Sequence, residues 1–418
     1  MVWRLKLCGP VLGLMLLVWG GMGPTLWAQN NQLTDRSFVA SPVVRGMGDA
    51  GVALSGPEYV FFYNPAHLPR TASNFTVFGL QAGATRSLDD HVRFFNQEAV
   101  RAVREGDALS SGARARLRRR AADLRGRPSW GGGEILLPSF VYSPGAFGVG
   151  GGVFTKTAVN YRLLKGADGT PSPWMLSRTD LMAVLSAGLD LRVLGLPGVS
   201  VGATGTRTRR LLAFKSKPLD RFRPDEPIVL LEGGMFQLDV GATYTPPGLS
   251  ALPGTVRLGG AVYDVLRTGY GYSPGGSGRL PFLNDIVDRP AADSGRAPDG
   301  EIRRAQRQFS LRRSYRVGAA YQLPALLFLE DLKLAVDYQG YRGEAQRVLE
   351  RLHLGARATV AGPLDVRAGV NSGYPTGGLG VEWGALHFDY ALHGAEMGRG
   401  TGRASSYVHT ARLLVRLE

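Results

Sequence analysis

Cysteine is all but missing from this 418-residue sequence, Cys8 being the only one. That excludes a disulfide framework, and beyond residue 8 it excludes a thiol nucleophile or thiolate metal site. Long apolar runs are missing as well. No segment reaches the ~20 consecutive apolar residues that a spanning helix needs, so a membrane could be crossed only by strands. Lysine is confined to Lys6, Lys156, Lys165, Lys215, Lys217 and Lys333, although the formal net charge is +15. The positive excess is therefore arginine. A basic balance usually raises nucleic acid as a partner, but the N-terminus argues for export instead.

Arg4 and Lys6 open the chain, Val11 to Trp19 is a short apolar run, and Gly20, Gly21, Gly23 and Pro24 break it before Leu26-Trp27-Ala28. This order predicts a secretory signal peptide over 1–28, cut after Ala28. Cys8 precedes the apolar run instead of following it, which does not fit lipid attachment. An exported chain without disulfides must be held by packing and hydrogen bonds. A closed barrel meets that need because it leaves no strand edge. The acidic neighbours expected are then outer-membrane lipid and lipopolysaccharide, or anionic solutes in a channel, with no nucleic acid.

Apolar and polar residues alternate in segments of about ten, the length of a tilted membrane strand. Leu332, Leu334, Val336 and Tyr338 share one face, and Lys333, Ala335, Asp337 and Gln339 share the other. Strands are predicted near 75–83, 135–143, 146–157, 180–193, 199–210, 234–245, 255–264, 313–323, 332–342, 349–360, 364–371, 378–384, 386–393 and 406–417. Short connections such as Pro144-Gly145 and Gly362-Pro363 alternate with longer ones. The fold class predicted is all-β: a transmembrane outer-membrane β-barrel of about 14 antiparallel strands over 73–418. Both termini would be periplasmic, and the longest extracellular loops would fall at 84–133 and 265–312. Within the first of these loops, Phe94, Phe95, Ala99, Val100 and Val103 recur at helical spacing and Arg114 to Arg120 is an alanine–arginine run, so one or two helices are expected.

The same parity places Lys333, Asp337, Arg357, Arg367, His387, Asp389 and His393 toward the lumen, together with Asp365, Arg412 and Arg416. His387, Asp389 and His393 share a face of one strand, but no serine stands beside them in a recognisable position and no further metal ligands are evident. No catalytic residue, metal or cofactor is predicted.

Residues 29–72 do not alternate and are read as a hatch packed in the barrel mouth. Its glycines permit close backbone approach, Asn64-Pro65 favours a turn, and Phe61, Phe62 and Tyr63 offer an apolar surface for cargo. The stretch Arg45-Gly46-Met47-Gly48-Asp49-Ala50-Gly51-Val52-Ala53, followed by Asn64-Pro65-Ala66-His67-Leu68, resembles the N-terminal region of the FadL-like outer-membrane transporter superfamily, most closely its PorV/PorQ-like branch. Arg367-Ala368-Gly369-Val370-Asn371 and Gly377-Gly378-Leu379-Gly380 are similar to that branch too. His67 stands where the family usually has glycine, and the chain closes on Leu417-Glu418 instead of an aromatic. The resemblance implies a 14-stranded barrel with a lumenal hatch that transports or captures hydrophobic molecules without catalysis. It also admits a secretion-associated barrel that binds exported proteins; a purely structural or surface-interaction barrel is the third reading.

Overall fold

A computed structural model describes residues 40–94, 97, 111–125, 127, 129–165, 171–216, 229–247, 253–274, 313–325, 329–341, 348–360, 362–396 and 405–417. The signal-peptide reading over 1–28 lies outside them, as does 275–312 of the second long loop. The strands are β1 Asn74–Thr85, β2 Ser129–Tyr142, β3 Phe147–Lys165, β4 Pro171–Asp190, β5 Val199–Ser216, β6 Val229–Tyr244, β7 Thr255–Tyr263, β8 Gly271–Pro274, β9 Ser314–Gln322, β10 Leu329–Tyr341, β11 Leu352–Val360, β12 Leu364–Asn371, β13 Tyr374–Trp383, β14 Leu386–Glu396 and β15 Ser405–Leu417. All pairings are antiparallel, and β1 pairs with β15 from Phe75↔Leu417 to Thr85↔Val408, which closes the ring.

β8 is not a separate stave. It pairs with β6 from Leu231↔Pro274 to Gly234↔Gly271, above the point where β7 pairs with the same strand at Val240↔Val262. β7 and β8 are two halves of one stave, interrupted over 264–270, so the barrel has 14 staves. The interruption is marked by left-handed backbone at Asp264 (φ 53) and Arg267 (φ 55). Val265 N still reaches Leu238 O at 2.8 Å. Residues 271–274, expected in a loop, are therefore wall.

Several strands extend further at the loop end than the alternation predicts: β3 runs to Lys165, β4 starts at Pro171, β5 runs to Ser216 and β6 starts at Val229. The outward residues explain why. On β4, Leu181, Ala183, Leu185, Ala187 and Leu189 face out, whereas Ser177 and Thr179 continue the same face above them. Once the outer face becomes polar, both faces are polar and the period-two signal vanishes. The Leu181–Leu189 stretch measures roughly 20 Å along the barrel axis at a rise of ~3.3 Å and a tilt of ~40°, of the order of the ~25 Å apolar band of a membrane barrel. Pro171–Asp180 adds roughly 25 Å above it by the same arithmetic. The outer face at band height carries Phe75, Leu80, Ile135, Phe140, Phe147, Leu185, Phe388 and Leu413, all exposed. A closed ladder clothed in such a band is a transmembrane barrel, because closure leaves no strand edge open to lipid.

β13 also begins four residues earlier than predicted, since Tyr374-Pro375-Thr376-Gly377 reads as a loop. Ser372 (φ 51) and Gly373 (φ 91) instead make a two-residue turn with positive φ at both positions, which suits the twist of a hairpin.

The lumen is filled by residues 40–72. A one-turn helix α1, Pro42–Gly46, is capped by Ser41, whose hydroxyl accepts from Val43 N. A 3-10 turn, Pro65–Arg70, is capped by the Asn64 side chain accepting from Ala66 N. Both start with proline, whose missing N–H costs nothing at the first helical position. Between β1 and β2 the described residues include two further helices, α2 Ser87–Arg93 and α3 Ser111–Leu124. The arginine run forms α3, while Phe95, Ala99, Val100 and Val103 lie outside the described residues.

Candidate functional site: the hatch and its seat

The hatch lies directly on the wall, and glycines in the wall make the room. A Cβ on Gly241 of β6 would stand 2.1 Å from Asn64 Oδ1, one on Gly202 of β5 would stand 2.5 Å from the Pro65 carbonyl carbon, and one on Gly259 of β7 would stand 2.3 Å from Val52 O. Across the barrel, a Cβ on Gly355 of β11 would meet Met47 O at 2.3 Å and one on Gly369 of β12 would meet Gly48 N at 2.5 Å. These positions form a partial belt on which hatch backbone replaces side chains. Small residues are required wherever two backbones approach this closely.

Polar contacts then fix the register of hatch and wall. Asp337 of β10 accepts from Gly51 N (2.8 Å) and Val52 N (2.9 Å) through one carboxylate oxygen. Arg316 of β9 pairs with that oxygen at 3.4 Å and with Asp49 at 2.9 Å. Tyr63 donates to Asp49 at 2.5 Å. Burial opposes the charge on Asp49, yet Arg316, Arg45 and His353 outweigh it and hold the carboxyl far below its ordinary range. Thr376 of β13 accepts from Gly48 N (2.9 Å) and donates to Gly46 O (3.0 Å). Asn64 donates to Val52 O (2.8 Å) and Ala242 O (3.1 Å), so the Asn-Pro turn is bound both to the hatch and to β6. His67 is fully buried with Nε2 3.0 Å from Val52 O. Burial, reinforced by Arg257, pulls its pKa down to about 3, so the ring is neutral.

A second contact holds the hatch at its middle. Glu58 accepts from both terminal nitrogens of Arg412 (2.6 and 2.9 Å) and from Arg416 (2.9 Å), all on β15. Although burial penalises it, these two guanidiniums hold the Glu58 carboxyl well below its ordinary value. The chain of charge continues around the wall: Arg412 to Asp389 at 2.6 Å, Asp389 to Arg367 at 2.8 Å, Arg367 to Asp365 at 2.5 Å, and Asp365 to Arg357 at 2.8 Å. Alternating signs along the wall leave each of these buried charges with an opposite partner, the condition under which burial is tolerated.

Beside Glu58 lies an aromatic cluster. Phe61 and Phe62 of the hatch meet Phe154 of β3 with ring centroids 5.9 and 5.2 Å away. They line a cavity of about 40 Å³ with Glu58, Arg412, Arg416, Leu136 and Val141. That volume holds one or a few waters and no organic solute. The adjacent wall is irregular. Facing β15, β1 slips register between Thr76 and Phe78; facing β3, β2 slips between Leu136 and Ser139, around Pro138. The β1–β2 ladder stops at Thr76↔Ser139 and resumes at Gly79↔Leu136. Pro138 has no N–H to offer a neighbour, so two matched bulges thin the hydrogen bonding where the aromatic cavity meets the wall.

Of the lumen-facing candidates, Asp337 holds the hatch directly, and Arg357, Arg367 and Asp389 belong to the charge chain. Lys333 pairs with Asp331 at 2.5 Å and lines a smaller cavity beside Leu54 and Ser55. The structure does not bring His387, Asp389 and His393 together. His387 sits 3.6 Å from Glu382, Asp389 is committed to two arginines, and His393 lines a polar cavity with Arg45, Gln81 and Lys156. Among the described residues, no three His, Cys, Asp or Glu side chains converge on a metal position. Phe61, Phe62, Tyr63, Asn64 and Pro65 lie together, but Tyr63, Asn64 and Pro65 are seated on the wall and only Phe61 and Phe62 reach the cavity. Glu58 and Phe154 do not stand out in the sequence; a carboxylate between Pro57 and Tyr59 in an otherwise apolar stretch was the available signal.

No protein-family model and no curated protein matches the sequence. Solved structures that resemble the chain include the Pseudomonas putida toluene transporter TodX, at 11% identity and TM-score 0.45, covering 90% of this chain and 97% of that one. A Pseudomonas aeruginosa FadL homologue matches at 11% identity and TM-score 0.42, with coverage of 90% and 97%. The translocator domain of the Neisseria meningitidis autotransporter NalP matches at 11% identity and TM-score 0.38, with coverage of 83% and 88%.

Proposed function

We propose that this protein is an outer-membrane barrel that transports or captures small hydrophobic molecules and carries out no chemistry of its own. The observation that carries this reading is the cavity at Phe61, Phe62 and Phe154. There an apolar surface, a charged clasp at Glu58 and a thinned stretch of wall meet at one point on the hatch. As it stands the cavity is too small for cargo, so passage requires the Pro57–Phe62 segment to move while the seat at Gly48, Val52 and Asn64 stays in place. The long connections face the cell exterior and both chain ends face the periplasm, in keeping with short turns at one rim and long loops at the other.

Liposome uptake of labelled fatty acids and small aromatic hydrocarbons tests the reading. Replacing Phe61 and Phe62 with alanine is expected to lower flux at least several-fold while barrel yield is unchanged. Wild-type flux no greater than that of empty liposomes sinks the proposal. A second reading is the PorV/PorQ-like one, in which the barrel binds exported proteins. It is favoured by the extensions of β4 and β5 above the apolar band, whose outward residues include Ser177, Thr179, Arg207 and Arg209 and offer a polar surface beyond the membrane. Recovery of a defined secreted protein with the native barrel, abolished by changes on these extensions, would support it.

A further inference from the structure

The outer face of β5 changes character abruptly. Val201, Ala203 and Gly205 face the band, and the next outward residues are Arg207 and Arg209. Arg209 is neutralised by Glu232 at 2.9 Å. Arg207 is exposed and has no ionic or hydrogen-bond partner among the described residues. Its guanidinium passes 3.5 Å from the place a Cβ would take on Gly234, so it lies against bare backbone on β6. Arg207 is paired in register with Phe236. On the other side of β6 runs the interruption between β7 and β8, where the Thr268 hydroxyl donates to Phe236 O. Arg267, one residue before it, is exposed and held in left-handed backbone, a conformation that costs a non-glycine residue free energy. Phe236 (42% exposed), in register with Arg207, and Leu266 (52%), next to Arg267 in the chain, are both exposed.

We infer that Arg207 and Arg267 form a site on the outer wall for the phosphomonoester of an outer-leaflet glycolipid. Two exposed guanidiniums with no ionic partner among the described residues, at the edge of an apolar band, match a doubly charged phosphate, since the planar guanidinium presents paired donors to phosphate oxygens. Phe236 and Leu266 are placed for the acyl chains of the same molecule, which distinguishes a lipid from free phosphate. The glycolipid assignment rests on the long loops facing the exterior; it does not depend on transport.

The test is native mass spectrometry of the full barrel with three probes: diphosphorylated lipid A, phosphatidylglycerol and inorganic phosphate. Wild type should retain lipid A, and the Arg207→Ala/Arg267→Ala double variant should retain at least tenfold less. Arg207→Lys, which keeps the charge but loses the fork, should fall between them. Arg118→Ala/Arg119→Ala on the exposed face of α3 should retain lipid A as wild type does. Equal retention by wild type and the double variant, or an equal loss in the α3 variant, overturns the site. Displacement of lipid A by millimolar inorganic phosphate also overturns it, in favour of a free-anion site. If the arginines control phosphatidylglycerol instead of lipid A, the glycolipid assignment is wrong and this rim faces the inner leaflet. Unheated gel mobility identical to wild type in every variant excludes misfolding as the cause of any loss.

Discussion

His67 shows what a single residue contributes to the seat. Its ring is neutral and buried, with its pKa lowered to about 3 from 6.5. Between those values the unfolded or released segment binds a proton that the seated one does not. Seating is therefore fully stable above pH 6.5 and weakens as pH falls toward 3. At pH 5 the loss is on the order of 2 kcal/mol. Hydrogen exchange of the amides at 59–68 should accelerate from pH 7 to pH 5 beyond the intrinsic pH effect, and His67→Gln should remove that excess. No excess in the wild type would mean that the ring is solvated and not sealed under the hatch. Gly241 makes the complementary case from the wall. Alanine there puts a methyl carbon 2.1 Å from Asn64 Oδ1, which the Asn-Pro turn cannot yield without leaving β6. Gly241→Ala should raise liposome permeability to small polar solutes while leaving gel mobility intact. Unchanged permeability would show that the turn is not the seal. Neither residue's role was legible beforehand: His67 appeared only as a departure from glycine, and Gly241 as one of 58 glycines. What makes each matter is an approach between segments far apart in the chain, which local pattern does not encode.

Strands were the most legible elements where one face meets lipid. On β10, Leu334 and Val336 face out while Lys333, Ala335 and Asp337 face in, and the alternation alone separates them. Leu334→Arg should accordingly depress assembly strongly, by about 2–4 kcal/mol near mid-bilayer, whereas Lys333→Ala should insert like wild type. Equal insertion yields would contradict the facing. Legibility failed where lipid stops specifying the outer face, as at Ser177 and Thr179 in the upper half of β4, and where proline and glycine mimic a loop, as in Tyr374 to Gly377. The hatch is the other case. Its glycines foretold close approach, but its clasp did not announce itself: Glu58 reaches Arg412 and Arg416 across 354 and 358 positions of the chain. Glu58→Gln keeps the shape and removes the charge, leaving Arg416 without the acid it faces here. Cys8 is the only native cysteine, so Ser55→Cys introduces a thiol that is alone beyond residue 8 and reports cleanly on the hatch. Maleimide labelling of that thiol should be several-fold faster when Ser55→Cys is combined with Glu58→Gln than when it stands alone. Equal rates would mean that the aromatic packing, not the ion pairs, holds the segment shut.

At the scale of the whole molecule, closure governs both stability and sidedness. Fourteen staves pair without a free edge, and the hatch adds contacts to β5, β6 and β7 on one side and to β11, β12 and β15 on the other, so unfolding must break a ring and cannot peel a strand from a rim. The barrel should therefore resist detergent at room temperature, run faster unheated than boiled, and collapse to one mobility after boiling. Sidedness follows from the same ring. Phe75 pairs with Leu417, so both ends of the described barrel lie at one rim with the short turns at 143–146 and 384–385, and the connections at 86–128 and 275–313 leave from the other. If that second rim faces outward, external protease should cut intact cells within these two connections, and the exposed arginines of α3 give trypsin its first target. The short turns should survive until the membrane is opened. Cutting near Gly145 or Gly384 in sealed cells, with 86–128 protected, would invert the barrel. Phe61 and Phe62 would then be reached from the opposite side, and the route past the hatch would run outward instead of inward.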